Sequence, residues 1–395
     1  MTAHSPIPKR ILPVIVFAQF AGTSLWFAGN AIIKELQADW QMPIDALASI
    51  TSAVQLGFIV GTFVFALLSI ADRFRPSLVF FFCALFGAVL NAAIIVLPPS
   101  YTLLLVLRFL TGIFIAGIYP VGMKIAADWF EGKLGKALGY LVAALVIGSA
   151  FPHLLNYLGA SLSWEFVLFG TSLIAILGGI SILLLVGDGP HRVKGSKFDP
   201  RKLFEVFKTK DFRSAAFGYL GHMWELYTFW AFLPLIIGYY NKTQSMDLNI
   251  SFWTFMIMAT GALGCVLGGY LSVSKGSAKV AYAFLFASGL MCLFSPLFFT
   301  LPPGIFLALL VFWGFAVIGD SAQFSSLNAL TAPKASMGTA LTVAVSLGFL
   351  ITIPSIQLLG YLSTVIEAKW LMLTLVIGPI FGLFHTSKLL RNRKA

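Results

Sequence analysis

About twelve apolar stretches, each near the length of roughly 20 residues that a helix needs to cross a bilayer, recur along the 395-residue chain. They fall at approximately 11–34, 46–70, 77–97, 101–126, 134–159, 163–187, 213–239, 251–273, 279–300, 304–328, 338–363 and 368–388. Soluble domains carry about 25% charged residues. Here 59% of residues are hydrophobic, only 10% are charged, and the mean hydropathy is +0.92. The fold class expected is an all-α polytopic membrane protein with twelve spanning helices.

The gaps between the stretches give the orientation. Of 26 Lys and Arg residues, 22 fall in alternate gaps: Lys9 and Arg10; Arg73 and Arg75; Lys124, Lys133 and Lys136; eight from Arg192 to Arg213; Lys275 and Lys279; Lys334; and Lys388, Arg391, Arg393 and Lys394. The opposite gaps hold Lys34, Lys242 and Lys369, and Arg108 is left inside a stretch. Short cytoplasmic loops are enriched in Lys and Arg, so both termini are expected in the cytoplasm. The net charge of +11 then belongs to loops facing an anionic leaflet, which makes membrane lipid a partner and argues against nucleic acid. Few long loops point to a bacterial inner membrane. Asn249-Ile250-Ser251 matches a glycosylation sequon, but it lies too close to the eighth stretch for modification.

The first stretch follows Lys9 and Arg10 as a signal peptide would. It is longer than such an apolar core and lacks a small-residue cleavage site, so it is expected to stay as a helix. Cys83, Cys265 and Cys292 lie inside apolar stretches, where a thiol acts as a small hydrophobe. No Walker A sequence, Gly-rich nucleotide loop or HExxH pattern occurs. Neither a cofactor nor an enzymatic activity is expected.

The polar segment from Gly187 to Arg213 divides the stretches six and six, giving a first bundle over 1–187, a basic linker over 188–212 and a second bundle over 213–395. Phe198, Leu203, Phe204 and Phe207 among basic residues suit that linker to the membrane surface or to a solvated connection. Patterns recur between the halves, the internal symmetry expected of transporters. Leu56-Gly57 then Gly61 is matched by Leu263-Gly264 then Gly268. Leu97-Pro98-Pro99 is matched by Leu301-Pro302-Pro303, and Gly135-Lys136-Ala137-Leu138 with Pro152 by Gly338-Thr339-Ala340-Leu341 with Pro354.

Over essentially its whole length this organisation resembles the major facilitator superfamily. Ala71-Asp72-Arg73-Phe74-Arg75 is similar to that superfamily's Asp-Arg loop motif, which implies a gating latch at Asp72 and Arg73; the usual ending is replaced by Arg75-Pro76-Ser77, and the equivalent Ser274-Lys275-Gly276 has lost the acid. In the fourth stretch, Arg108-Phe109-Leu110-Thr111-Gly112, Ala116-Gly117, Pro120 and Trp129-Phe130 resemble the organic anion:cation symporter branch. That branch often carries a carboxylate where this chain has Ile115, so the resemblance implies an anionic substrate without that coupling scheme. Nitrate porters of the superfamily place Arg on helices 2 and 8, and both helices lack it here. Read without the resemblance, Gly112, Ala116 and Gly117 are small-residue packing positions, which leaves Arg108 as the chemistry of the stretch.

An ionisable side chain near mid-bilayer costs about 2.5–3.5 kcal/mol on insertion scales, so each is a functional candidate. Arg108 offers a permanently charged fork of donors for a carboxylate, or else pairs with backbone carbonyls. His153, directly after Pro152, is a second substrate or proton contact, or bonds a carbonyl that the proline frees. His222 and Glu225, three apart on one face, are the first choice for proton coupling, against a mutual bond that steadies the helix. Asp320 is a second proton or cation site, or a gate contact. Gln19, Tyr119 and Gln357 lead the neutral polar residues of a substrate cavity, with Thr23, Asn30, Gln55 and Asn156 behind them.

The leading expectation is a secondary transporter moving a small organic anion together with protons by alternating access. One alternative is a proton-coupled exporter of amphiphilic drugs or metabolites, suggested by 15% aromatic residues. Another is a carrier of a transition metal or its chelate through His222, Glu225 and Asp320.

Overall fold

The computed structural model describes residues 7–43, 45–130, 134–192 and 199–391. Lys133, Lys194, Lys197, Phe198, Arg393 and Lys394 lie outside the described residues. Twelve spans follow one another: α1 (Ile11–Thr23), α2 (Ala46–Leu67), α3 (Pro76–Val96), α4 (Tyr101–Ile115, resuming at Tyr119–Trp129), α5 (Leu134–Leu158) and α6 (Glu165–Ser181). Then come α7 (Lys210–Gln244), α8 (Ile250–Lys275), α9 (Ser277–Phe298), α10 (Pro303–Gly319, resuming at Ser321–Thr331), α11 (Met337–Val365) and α12 (Ile377–Arg391).

Local chemistry sets several ends. Pro76 and Pro303 open α3 and α10 at positions where no amide donor is needed. Ser100 accepts from the Leu103 amide at 3.3 Å to start α4, and Asn249 accepts from Phe252 at 2.9 Å to start α8. Gly276, at φ +84°, turns the chain from α8 into α9.

Four spans depart from the stretches read in the sequence. The first, expected to be continuous over 11–34, stops at Thr23 and goes on as two short helices, Ala28–Ala31 and Ile33–Trp40. Thr23 and Ser24 turn their hydroxyls back onto the carbonyls of Gln19 (2.8 Å) and Ala21 (2.7 Å), a local competition with the helical ladder. The seventh runs 35 residues, about 52 Å at the helical rise, because its ends carry polar residues that hydropathy trims away. The fourth and tenth are broken, after Ile115 and at Asp320. Counted from the Pro-Pro pair before each helix, Ala116 and Asp320 occupy the same place, so the breaks repeat between the halves.

The repeated glycines explain the packing within each half. A Cβ on Gly57 would run into the backbone of Phe109 and Gly112 in α4, and one on Gly112 into the backbone of Val54 in α2. Their counterparts behave alike: Gly264 faces the backbone of Phe315 and Gly319, and Gly314 faces that of Ile257. Hydrocarbon supplies no hydrophobic drive between helices, so close backbone approach through small residues is what joins α2 to α4 and α8 to α10. The halves meet where α5 packs on α8 and α2 on α11.

Candidate functional site

Buried polar side chains without a hydrogen-bond partner occur in both halves. Among the described residues they include both amide atoms of Gln19 on α1 and Gln55 on α2, the Ser149 hydroxyl on α5, and the Ser346 hydroxyl on α11. Interiors rarely leave such atoms unsatisfied, so water or a ligand is needed to complete them. Gln19 lies against α4, where the missing side chain of Gly122 makes room for its Oε1. Tyr119, at the restart of α4, lies within electrostatic range of Tyr219 on α7 and Cys265 on α8. Beside this region an aromatic stack crosses between the halves: Trp26 packs on Phe349 (5.4 Å) and Tyr227 (5.5 Å), and Phe58 on Phe349 (4.3 Å).

Arg108 is fully buried and bonded within its own half. Nη1 donates to Asn91 Oδ1 at 2.8 Å, and Nη2 donates to the carbonyls of Leu25 (2.7 Å) and Trp26 (2.8 Å). Those carbonyls lie where α1 has unwound, so the guanidinium satisfies backbone groups that the broken helix leaves open. These contacts include the backbone carbonyls that the sequence offered as one of two kinds of partner. Nε alone among its nitrogens has no partner in the described residues, and bare Gly29 sits against it.

Glu225 and His222 share a face of α7 and do not bond each other. Glu225, 1% exposed, turns toward α9 and α10: Trp313 Nε1 donates to its Oε1 at 2.7 Å, Ser288 Oγ to its Oε2 at 2.9 Å, and Cys292 Sγ to Oε1 at 3.3 Å. His222 turns instead to the break in α10, where its Nδ1 lies 2.8 Å from Asp320 Oδ1. Asp320 precedes the second segment of α10 without capping it by its side chain, and it sits at the positive end of that segment's dipole. The remaining His222 Nε2 and Asp320 Oδ2 have no hydrogen-bond partner among the described residues. Asp320, which the sequence reading held as a separate site, therefore pairs with His222, and Glu225 lies within electrostatic range of it. Among the described residues no three His, Cys, Asp or Glu side chains are gathered as a metal site.

The remaining candidates lie away from these three residues. His153, 1% exposed and with Nε2 unpartnered, lines a cleft of about 290 Å³ at the Lys/Arg-poor side, together with Asn30 and Asn156. Gln357 on α11 donates to Ser52 Oγ on α2 at 2.9 Å and so joins the two halves on that same side. On the basic side Asp72 pairs with Lys124 of α4 at 3.0 Å and borders a cleft whose far wall is Gly338 and Thr342 of α11. Arg73 makes no ion pair among the described residues.

Sequence reasoning missed Asn91, Trp313 and Ser288, neutral residues whose role comes only from the charge each meets. It also missed Asp188, which pairs with Arg75 (3.1 Å) and Arg192 (3.3 Å) and ties the start of the linker to the loop between α2 and α3. Later in the linker Phe204 is 88% exposed while Val206 is buried beside Phe212, so part of its apolar character serves packing.

Twelve membrane helices in two pseudo-symmetric halves, with unsatisfied polar groups buried in both, define a secondary transporter. The profile of the Major Facilitator Superfamily matches residues 14–356, and the chain belongs to that superfamily. It is 22% identical to an uncharacterised MFS-type transporter of Bacillus subtilis over 70% of this chain and 68% of that protein. It is 27% identical to a D-galactonate transporter of Escherichia coli O6:H1 over 51% of this chain and 53% of that protein. A probable L-galactonate transporter of Escherichia coli K12 is 24% identical over 51% and 48% of the two chains. The chain thus spans about half the length of the galactonate transporters. In fold it is similar to a bacterial homologue of the human lysosomal transporter Spinster, solved inward-facing and unoccupied, with a TM-score of 0.70, 14% identity, and 98% and 99% of the two chains covered.

Proposed function

We propose that the chain is a proton-coupled symporter of a small organic anion, a carboxylate, working by alternating access in a bacterial inner membrane with both termini cytoplasmic. The observation that carries the coupling is the membrane-buried His222–Asp320 contact one helical turn from Glu225. Three titratable groups so placed can take up a proton when one side is wetted and release it when the other is.

In this reading residues 1–187 and 213–395 rock against each other and 188–212 links them. Gln19 and Tyr119 face the bound substrate, His153 meets it on its way in from the Lys/Arg-poor side, and Gln357 faces it once the parting halves release it from Ser52. Arg108 holds the unwound end of α1 in place and turns its open Nε toward the anionic group. Asp72 and Arg73 belong to the cytoplasmic gate. The resemblance to D-galactonate and probable L-galactonate transporters supports an anion of that kind.

The test is uptake of labelled D-galactonate and L-galactonate into proteoliposomes under an imposed proton gradient. Accumulation that needs the gradient is expected; accumulation without one would overturn the coupling. The aromatic stack of Trp26, Phe58, Tyr227 and Phe349 favours a second reading, a proton-coupled exporter of amphiphiles. Transport of lipophilic cations in the same vesicles, with no carboxylate moved, would select it.

A further inference from the structure

We propose that the cleft of about 290 Å³ at the Lys/Arg-poor ends of α1, α5, α7 and α8 is a second binding site, an entry site for a small carboxylate bearing hydroxyl groups. The ligand class rests on the anion reading above; the site itself rests on its lining.

Lys34 supplies the positive charge. It lies beyond the break in α1, lines the cleft, and makes no ion pair among the described residues. Its Nζ reaches across to the other half, 3.5 Å from where a Cβ on Gly238 of α7 would stand, so the glycine leaves the ammonium room. One ammonium at the mouth of a cleft suits one carboxylate.

The other groups suit hydroxyls. The inner wall carries two buried atoms without partners, Nε2 of His153 and Oδ1 of Asn30, whose Nδ2 is already spent on Thr51 Oγ1 at 2.7 Å. His153 lies three residues, about 4.5 Å, deeper along α5 than Asn156. Glu35 and Asp247 add acceptors, Glu35 already receiving Asn156 Nδ2 at 3.4 Å. A purely apolar ligand would leave the two buried atoms unsatisfied, and with Glu35 and Asp247 also on the wall, Lys34 is the one group there that a carboxylate can engage by charge. A polyhydroxylated carboxylate meets both demands, with its charge on Lys34 and its hydroxyls on Asn30, His153 and Asp247. Asp247 belongs to the second half and the others to the first, so the occupied cleft spans the boundary that must open during transport.

Saturation binding of labelled D-galactonate to the full chain in lipid nanodiscs tests the site, with uptake measured in parallel. Wild type is expected to bind two ligands per chain. Lys34→Ala, a change at an exposed side chain, should bind one and raise the KM of uptake about tenfold, the loss of one charge-assisted hydrogen bond. Lys34→Arg should retain two. One ligand per wild-type chain with active uptake, or two in Lys34→Ala, would overturn the entry site and leave the transport reading standing. Two sites with no uptake would do the reverse, and no binding at all would overturn both.

Discussion

His222 on α7 and Asp320 at the break in α10 bring Nδ1 and Oδ1 to 2.8 Å in a setting where each side chain is 1% exposed. The contact spans two helices of the same half, and Glu225, one turn along α7 from His222, engages the same α10 through Trp313. A change of protonation at any of the three alters how α7 is held on α10, and α7 also carries Tyr227 and Trp230 toward the first half. In the proposed mechanism, proton binding and movement of the halves would share this helix.

Glu225→Gln keeps the side-chain shape and can still accept from Trp313, but it cannot exchange a proton. Counterflow of substrate between equal pools is expected to stay within about twofold of wild type, while pH-driven accumulation falls to the passive level, since one carrier step no longer sees the gradient. Counterflow and gradient-driven uptake, compared in one vesicle preparation, check it.

Asp320→Asn removes the carboxylate partner of His222. Reduced gradient-driven uptake with a shifted pH profile is expected, and His222→Gln should produce the same phenotype. Because the two groups are in contact, the double variant should be no worse than either single one. Additive losses would show that the two act separately.

Arg108→Ala strands the carbonyls of Leu25 and Trp26 and the Asn91 side chain in the protein interior. At about 1–3 kcal/mol for each buried group left unpaired, the apparent melting temperature of the ligand-free protein should drop by many degrees. Arg108→Lys keeps the charge without the planar fork and should recover part of it. A thermal scan without substrate separates this role from anion contact, because a residue acting on substrate alone would leave the scan unchanged.

Gly57→Val and Gly264→Val test the symmetry of packing. Each places branched carbons against the backbone of the neighbouring helix, so each should abolish the monodisperse protein peak in size-exclusion chromatography. A tolerated substitution in one half alone would show that the repeat in sequence is not a repeat in packing.

Joining Ser52→Cys to Gln357→Cys by a short bifunctional maleimide should stop transport, since their native hydrogen bond links α2 to α11 across the halves. The native Cys83, Cys265 and Cys292 are buried and leave the engineered pair as the reactive thiols. Unaltered transport after complete cross-linking would place no movement at this contact.

Much of the fold was legible because the bilayer judges the chain locally. A window of roughly 20 residues is apolar enough to span or it is not, so the sequence by itself determined the succession of spans, the duplication and the short roll of membrane-embedded charges. The repeated Gly57 and Gly264 showed where helices would touch, because only a missing side chain lets backbones approach. Partnership was not legible in this way. That Arg108 would find Asn91 and the open carbonyls of α1, or that His222 would find Asp320 instead of Glu225, depends on how each helix is rotated and how far it is displaced against its neighbours. Residues distant along the chain set that register together, through packing and through breaks such as those at Ser24 and Asp320, and no local window contains it. The tertiary structure alone decided which partner each embedded charge meets.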